Sequence, residues 1–257
     1  MKTVKKEAIL PFIEADKLCY FNEYKSIMEE PCVFYAADDK IGPPFLMLQS
    51  YPYGLLASFI GFHDGFFIQA ISELEKNHPT IHIVIPMPSS QYPNMHSNPD
   101  NLIKKGVYKS FACCDRIPSL NEDRSIRSLT GNDQAIVSSF QEEKHSNMIQ
   151  LDTALEEFVI NGNGEIYAYF DANGKIIGYL SCAPELYNIW DVVYIYVQPE
   201  FRSTGIGTKL ASHYLNAKLK ANQIPYYSGV TNAASEAAAI KAGFTLCGTR
   251  YCYEYHK

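Results

Sequence analysis

The chain has 257 residues, 47% of them apolar and 19% charged, enough to build one large core or two ordinary ones and too apolar for wholesale disorder. The formal net charge is −6, and acidic residues outnumber basic ones both before and after Arg124, which excludes a basic nucleic-acid platform. Seven cysteines, an odd number without a CxxC pair, argue against a disulfide framework.

The N-terminal stretch MKTVKKEAILPFIEADK carries basic residues but only a short apolar run, a poor match to a secretory signal. PCVFYA, PFLMLQ and IHIVIP read as strands bounded by proline, glycine or charge. YPYGLLASFIGF is too short and mixed for a membrane helix. A reducing, cytoplasmic setting without membrane contact is therefore expected. SFIGFHDGFFIQAISELEKN passes from a strand or loop into a helix, and residues 86–101, rich in proline and asparagine, read as a long loop. His63, His78, His82 and His96 have no metal-ligand spacing, nor do the cysteines, so no metal is expected.

A second pattern begins near Asp123. DRSIRSLTGND reads as a strand and turn, and residues 134–160 are mostly helical. EIYAYFDANGKIIGYLSCAP is a hairpin with its turn at Asn173-Gly174. IWDVVYIYVQPE is a central strand, TKLASHYLNAKLKANQ a helix, IPYYSGV a strand, SEAAAIKAG a short helix and FTLCGTRYCYEYHK a strand pair. This order predicts an α/β domain over 123–257, preceded by a separate α/β domain over 1–122. His213 falls on the helix that follows the glycines, as a surface or packing residue.

QPEFRSTGIGTKL joins the central strand to that helix. Pro199 ends the sheet ladder, Gly205 and Gly207 allow close backbone approach, and the first helical amides lack intrahelical partners. Such a helix start suits a phosphate. A Walker loop is absent, and GIGTKL puts Leu210 where a dinucleotide fingerprint needs a small residue. Taken alone, the stretch is either a structural turn or a phosphate cradle.

The surroundings narrow the choice. VQPEFRSTGIGTKLASHYL resembles the Arg-x-x-Gly-x-Gly loop of the GCN5-related N-acetyltransferase (GNAT) superfamily, through Val197, Pro199, Arg202, Gly205 and Gly207. NAASEAAAIKAGF resembles its second signature, through Asn232, Ser235, Lys241, Gly243 and Phe244. The resemblance covers about residues 124–257 and implies a mixed, splayed central sheet that takes acetyl-CoA as acyl donor. By the same resemblance, Val197 faces the pantetheine arm, Arg202, Ser203, Thr204, Gly205, Ile206, Gly207 and Thr208 embrace the pyrophosphate, and Asn232 and Ser235 lie near the arm or sulfur.

The implied chemistry is direct N-acetylation of a primary amine, on a small or amino-acid-like acceptor. Acetylation of a protein or peptide, or acyl-CoA sensing without turnover, are the alternatives. Asp191, in an apolar strand, is the first candidate base, and Glu185 in the preceding loop the second. The tyrosine that many relatives use as an acid is replaced by Ala239, leaving Tyr251 or another tyrosine to reach the pocket from elsewhere. The first 122 residues read either as a degenerate half of the same fold that walls the acceptor, or as a packing domain compatible with a homodimer.

Overall fold

The computed structural model describes residues 1–37, 42–88, 93, 95, 101–114, 123–140 and 150–257. Most of the loop expected over 86–101, His96, and the expected boundary at 122/123 on its N-terminal side lie outside these residues. The chain divides into two compact units. The first comprises Met1–Ser110 with Cys247–Lys257, the second Phe111–Leu246.

The first unit contains β1 (Lys2–Val4), α1 (Leu10–Ala15), α2 (Phe21–Glu29), β2 (Val33–Ala36), β3 (Phe45–Tyr51), β4 (Gly54–Ile60), α3 (Asp64–Leu74), β5 (Thr80–Pro88) and most of β6 (Leu102–Ala112). β1 to β4 pair antiparallel in sequence order, and β5 joins β4 in parallel. A parallel pair needs a crossover, which α3 provides. Phe66, Phe67, Ala70, Ile71 and Leu74 form the buried stripe of α3, at helical spacing, and pack on Leu46, Phe59 and Ile83.

The second unit contains β7 (Ile126–Ser128), α4 (Gln134–Ser138), α5 (Leu151–Ala154), β8 (Glu165–Phe170), β9 (Ile176–Pro184), β10 (Ile189–Val197), α6 (Ile206–Lys220), β11 (Ile224–Val230) and α7 (Ala233–Ala242). A π-helical turn over Leu155–Ile160 extends α5. β7 to β10 run antiparallel, and β11 joins β10 in parallel. The hairpin turn is where its sequence puts it: Gly174 has φ 76°, and Asp171 accepts from the amides of Asn173 and Lys175, each at 2.8 Å. Strand alternation serves two cores. Tyr167 of β8 packs under α6 and α7, while its neighbours Ile166 and Ala168 pack under α4 and α5. On α6, Leu210, Ala211, Tyr214, Leu215 and Lys218 are buried.

Each unit thus runs strand, two helices, three strands, helix, strand. The repeat is in element order and in the parallel pair that follows the third helix, without a repeated glycine signature.

The C-terminal residues depart from the expected strand pair. They form one strand, β12 (Thr245–His256), and its residues Gly248–His256 pair antiparallel with Thr80–Pro88 of β5. Residues 247–257 therefore belong to the first unit, whereas the sequence reading kept them in the domain over 123–257. Alternation of Tyr251, Tyr253 and Tyr255 is the cause: all three turn one face into the first unit's core beside Ile81, Ile83 and Ile85.

Candidate functional site

β10 and β11 share rungs only from Ile189↔Ile224 to Asp191↔Tyr226. Beyond that point both strands continue, β10 to Val197 and β11 to Val230, without pairing to each other. β10 stays registered with β9 as far as Val197↔Gly178. The result is a fork. A register shift between Val192 and Tyr194 leaves Val193 outside the ladder, just past the last shared rung. Tyr214 closes the crotch from α6: its hydroxyl donates to the Trp190 carbonyl and accepts the Tyr226 amide at 3.2 Å.

The fork opens into a cavity of about 630 Å³. Ile195 and Val197 of β10, Tyr227 of β11, the first turn of α6, and Ser235 and Lys241 of α7 are among its walls. Pro199–Phe201 forms a 3-10 turn that ends the strand. Ser203 (φ 65°) and Gly205 (φ 87°) then reverse the chain so that α6 starts facing the cavity. Gly205 is the N-cap and no side chain caps the helix. The amides of Ile206, Gly207 and Thr208 therefore present their donors, with the helix dipole behind them, at a wall of the cavity. A Cβ on Gly207 would lie 4.0 Å from Ile195 and from Val197, an ordinary contact, so this position has room for a methyl, and a larger group would enter the space between helix and strand.

Arg202 braces this loop. Its Nε donates to the Val197 carbonyl at 3.1 Å, and its guanidinium lies 5.8 Å from the centre of the Tyr196 ring. Of the residues that the resemblance implies for the acyl donor, Val197, Arg202, Ser203, Gly205, Ile206, Gly207, Thr208 and Ser235 line the cavity. Thr204 and Asn232 do not. The Thr204 hydroxyl turns back to the Phe201 carbonyl at 2.6 Å, and Asn232 caps α7 by accepting the Ser235 amide at 2.9 Å. Their visible work is to shape the two walls.

Asp191 occupies the last shared rung. Its two carboxylate oxygens accept from the Ser228 amide at 3.0 Å and the Ser228 hydroxyl at 2.5 Å. Burial pushes its carboxyl up to about 6, against the pull of the two Ser228 bonds, and the charge of Glu185 adds to the rise. The residue keeps some exposed surface. Asp191 stands at the crotch rather than on the cavity wall. Glu185 precedes a turn in which Tyr187 (φ 57°) and Asn188 (φ 62°) are left-handed, and its amide donates to the Ile189 carbonyl at 2.7 Å. It too lies off the wall. Tyr251 sits on β12 opposite Ile85, in the core of the first unit, and is not one of the cavity residues, all of which belong to the second.

Residues 133–244 match the family model described as Acetyltransferase (GNAT) family. This segment belongs to the GNAT superfamily. The match spans the fork, the glycine loop and α7. Among solved structures, a GCN5-related N-acetyltransferase from Sphaerobacter thermophilus is similar at a TM-score of 0.58 and 12% identity, over 94% of this chain and 91% of that one. A GNAT-family acetyltransferase from Colwellia psychrerythraea gives 0.56 and 10%, over 99% and 98%. A GCN5-related N-acetyltransferase from Kribbella flavida gives 0.52 and 10%, over 94% and 95%. At these identities the likeness is one of fold. No curated protein sequence matches the chain.

The structure adds three GNAT-segment residues that the sequence reading did not assign. Tyr214 holds the crotch, Ser228 holds Asp191, and Tyr227 lines the cavity. The GNAT acyl donor fits the walls described: uncapped amides and a braced arginine for phosphate, and an apolar slot between two strands that have parted for an amide-bearing arm. Among the described residues, no group of three or more His, Cys, Asp or Glu could hold a metal ion.

Proposed function

We propose that this chain is an acetyl-CoA-dependent N-acetyltransferase that acts by direct transfer on the primary amine of a small, amino-acid-like molecule. The fork carries the reading: two parallel strands that part at Asp191↔Tyr226 and enclose a cavity whose far end is the uncapped start of α6.

Acetyl-CoA supplies an activated acyl group on sulfur. The chain's own contribution is to position and to move a proton. The amides of Ile206, Gly207 and Thr208 hold the pyrophosphate, and Arg202 keeps the loop in shape while adding positive charge. Beyond Asp191 the two strands no longer pair with each other, and the gap between them takes the arm and its amides. Asp191 takes the amine's proton, directly or through one water. A carboxyl that titrates near 6 is mostly ionised at neutral pH yet is a stronger base than an ordinary one. Asp191 and Glu185 together favour a cationic acceptor.

One observation favours the sensing alternative. Both oxygens of Asp191 are engaged by Ser228, as in a structural aspartate. A screen of primary amines with acetyl-CoA, read by mass detection of the acetylated product, separates the two. Amine-dependent release of CoA is expected. Tight binding of acetyl-CoA without turnover on any amine, amino acid or peptide would leave the sensor.

A further inference from the structure

The cavity passes through the sheet. Successive side chains on a strand point to opposite faces, and a paired sheet keeps those faces apart. Yet Tyr194, Ile195, Tyr196 and Val197, four consecutive residues of β10, all line the cavity. Ile195 and Val197 belong to the core under α6 and α7, whereas Tyr194 and Tyr196 belong to the core under α4 and α5. Beyond Asp191, β10 no longer pairs with β11, so one opening reaches both faces. The glycine loop and α7 wall the first face, where the acyl donor is placed. The second face is left for the acceptor.

Asp191 points to that second face. It stands opposite Ala183 of β9, which packs on the α4 and α5 core, while the flanking Trp190 and Val192 pack under α6. Tyr194 is three residues further on and in a regular strand would face the other way. The irregularity at Val193 takes up the odd residue, so Asp191 and Tyr194 stand opposite Ala183 and Ser181. Those rungs are two residues apart on β9, which makes carboxylate and ring neighbours on one face, roughly 7 Å apart along the strand. Other rings fix the Tyr194 ring from behind. Tyr196 stacks on it at 6.5 Å and 22°, and Tyr179 lies at 5.9 Å. Phe140 closes edge-on against both of these, at 6.0 Å each. Tyr179 and Tyr196 are buried, whereas Tyr194 is half-buried at the cavity.

We propose that the acceptor is an arylalkylamine, a primary amine with an aromatic ring two or three carbons from its nitrogen, and that Tyr194 is the platform for that ring. This inference rests on the acetyl-CoA-dependent transfer proposed above. The nitrogen meets Asp191 while the ring lies on Tyr194, and the short spacing between the two suits a short linker. A ring held in place by its neighbours gives an aromatic partner more than burial of area, because π-systems attract one another in stacked and edge-on arrangements. A saturated group of the same size gains the area alone. In the transfer, the nitrogen bonds to the acyl carbon and the carbon–sulfur bond breaks. The sulfur leaves with the bonding pair, and the proton lost by nitrogen passes through Asp191 to the sulfur.

The test compares two amines of similar shape, phenethylamine and cyclohexylethylamine, of which only the first has an aromatic face. Release of CoA from acetyl-CoA gives kcat/KM for each. The wild type is expected to prefer phenethylamine by about three- to tenfold, the advantage of an aromatic pair beyond its buried area. Tyr194→Phe should keep the preference. Tyr194→Leu should abolish it, through KM more than kcat. The ratio is taken within one protein, so a smaller folded fraction in a variant does not alter it. Turnover without an aromatic preference, or a preference that survives in Tyr194→Leu, would overturn the platform and leave the transferase standing. If neither amine is turned over, calorimetry of phenethylamine with the CoA complex decides. Binding to the wild type that weakens in Tyr194→Leu would sink the proposed reaction and keep the platform, and no binding to the wild type would overturn both.

Discussion

The hydroxyl of Tyr214 donates to the backbone carbonyl of Trp190 at the point where β10 and β11 stop sharing rungs. It also accepts the Tyr226 amide at 3.2 Å from the other strand. Strands that part inside a protein leave backbone groups without partners, a cost that limits where a sheet can split. A phenol reaching from α6 serves both edges at once. Tyr214 is fully buried, and burial and its neighbours raise its hydroxyl well above the ordinary value, so it remains a donor.

Removing that hydroxyl is therefore expected to cost more than a surface bond. Tyr214→Phe should lower stability by about 1–3 kcal/mol, the range for leaving buried polar groups unmatched. Urea denaturation measures the loss. Equal midpoints for variant and wild type would show that the crotch is held by other means.

Asp191→Asn keeps the shape of the side chain but removes the base. Turnover should fall roughly 10²-fold or more, the usual range for a positioned general base, while acetyl-CoA affinity measured by calorimetry stays the same. In the wild type, kcat/KM should climb with pH through about 6, the value to which burial pushes the carboxyl, and then level off. An Asp191→Asn enzyme with full turnover at every pH would assign Asp191 to structure.

The same carboxyl affects folding. Its ordinary value is 3.8, and in the folded chain it is about 6. Between these values the folded state holds a proton that the unfolded state has released. Its contribution to stability therefore falls as pH rises from about 4 to about 6, and is level outside that window. The difference in unfolding free energy between wild type and Asp191→Asn, measured at several pH values, should narrow or grow only within that window. A constant difference from pH 4 to 8 contradicts the raised value.

Gly207 faces the strand from the first turn of α6 across a gap that accepts one methyl. Gly207→Ala should bind acetyl-CoA nearly as wild type does. Gly207→Trp should weaken binding by tenfold or more with little change in melting temperature, because its ring would occupy the slot rather than the core. Equal calorimetric affinities for the two would remove the glycine loop from the binding site.

Much of the second unit was legible because its signals are local. A β-branched run, a proline, two glycines and a helical period place strand, loop and helix at 189–220, and the spaced second signature places α7. Asp191 stood out as a charge in an apolar strand, and its raised value follows from that setting. Tyr214 and Tyr227 were hidden because their ring spacing matches ordinary core packing. Only the three-dimensional fork gives Tyr214 two strand edges to bridge, and only burial shows the Tyr227 hydroxyl unmatched. Asn232 was assigned near the ligand, whereas its oxygen is spent on a helix cap, a use that spacing alone supports equally well. The repeated element order was invisible because the first unit enters α3 through Gly61 and His63 rather than an Arg-x-x-Gly-x-Gly loop. Gly61 is held close to another loop: a Cβ there would meet Pro43 at 2.4 Å.

The placement of β12 has a consequence for the newly made polypeptide. The second unit is one unbroken stretch, Phe111–Leu246, and has all its residues before Cys247–Lys257 are made. The first unit begins the chain but needs Gly248–His256 to cover the open edge of β5. Until translation delivers those residues, that edge presents unpaired amides and carbonyls to anything nearby. Domains made first usually fold first. Here Met1–Ser110 must wait for Gly248–His256, so deleting that strand strikes a unit whose other residues lie far from it in sequence.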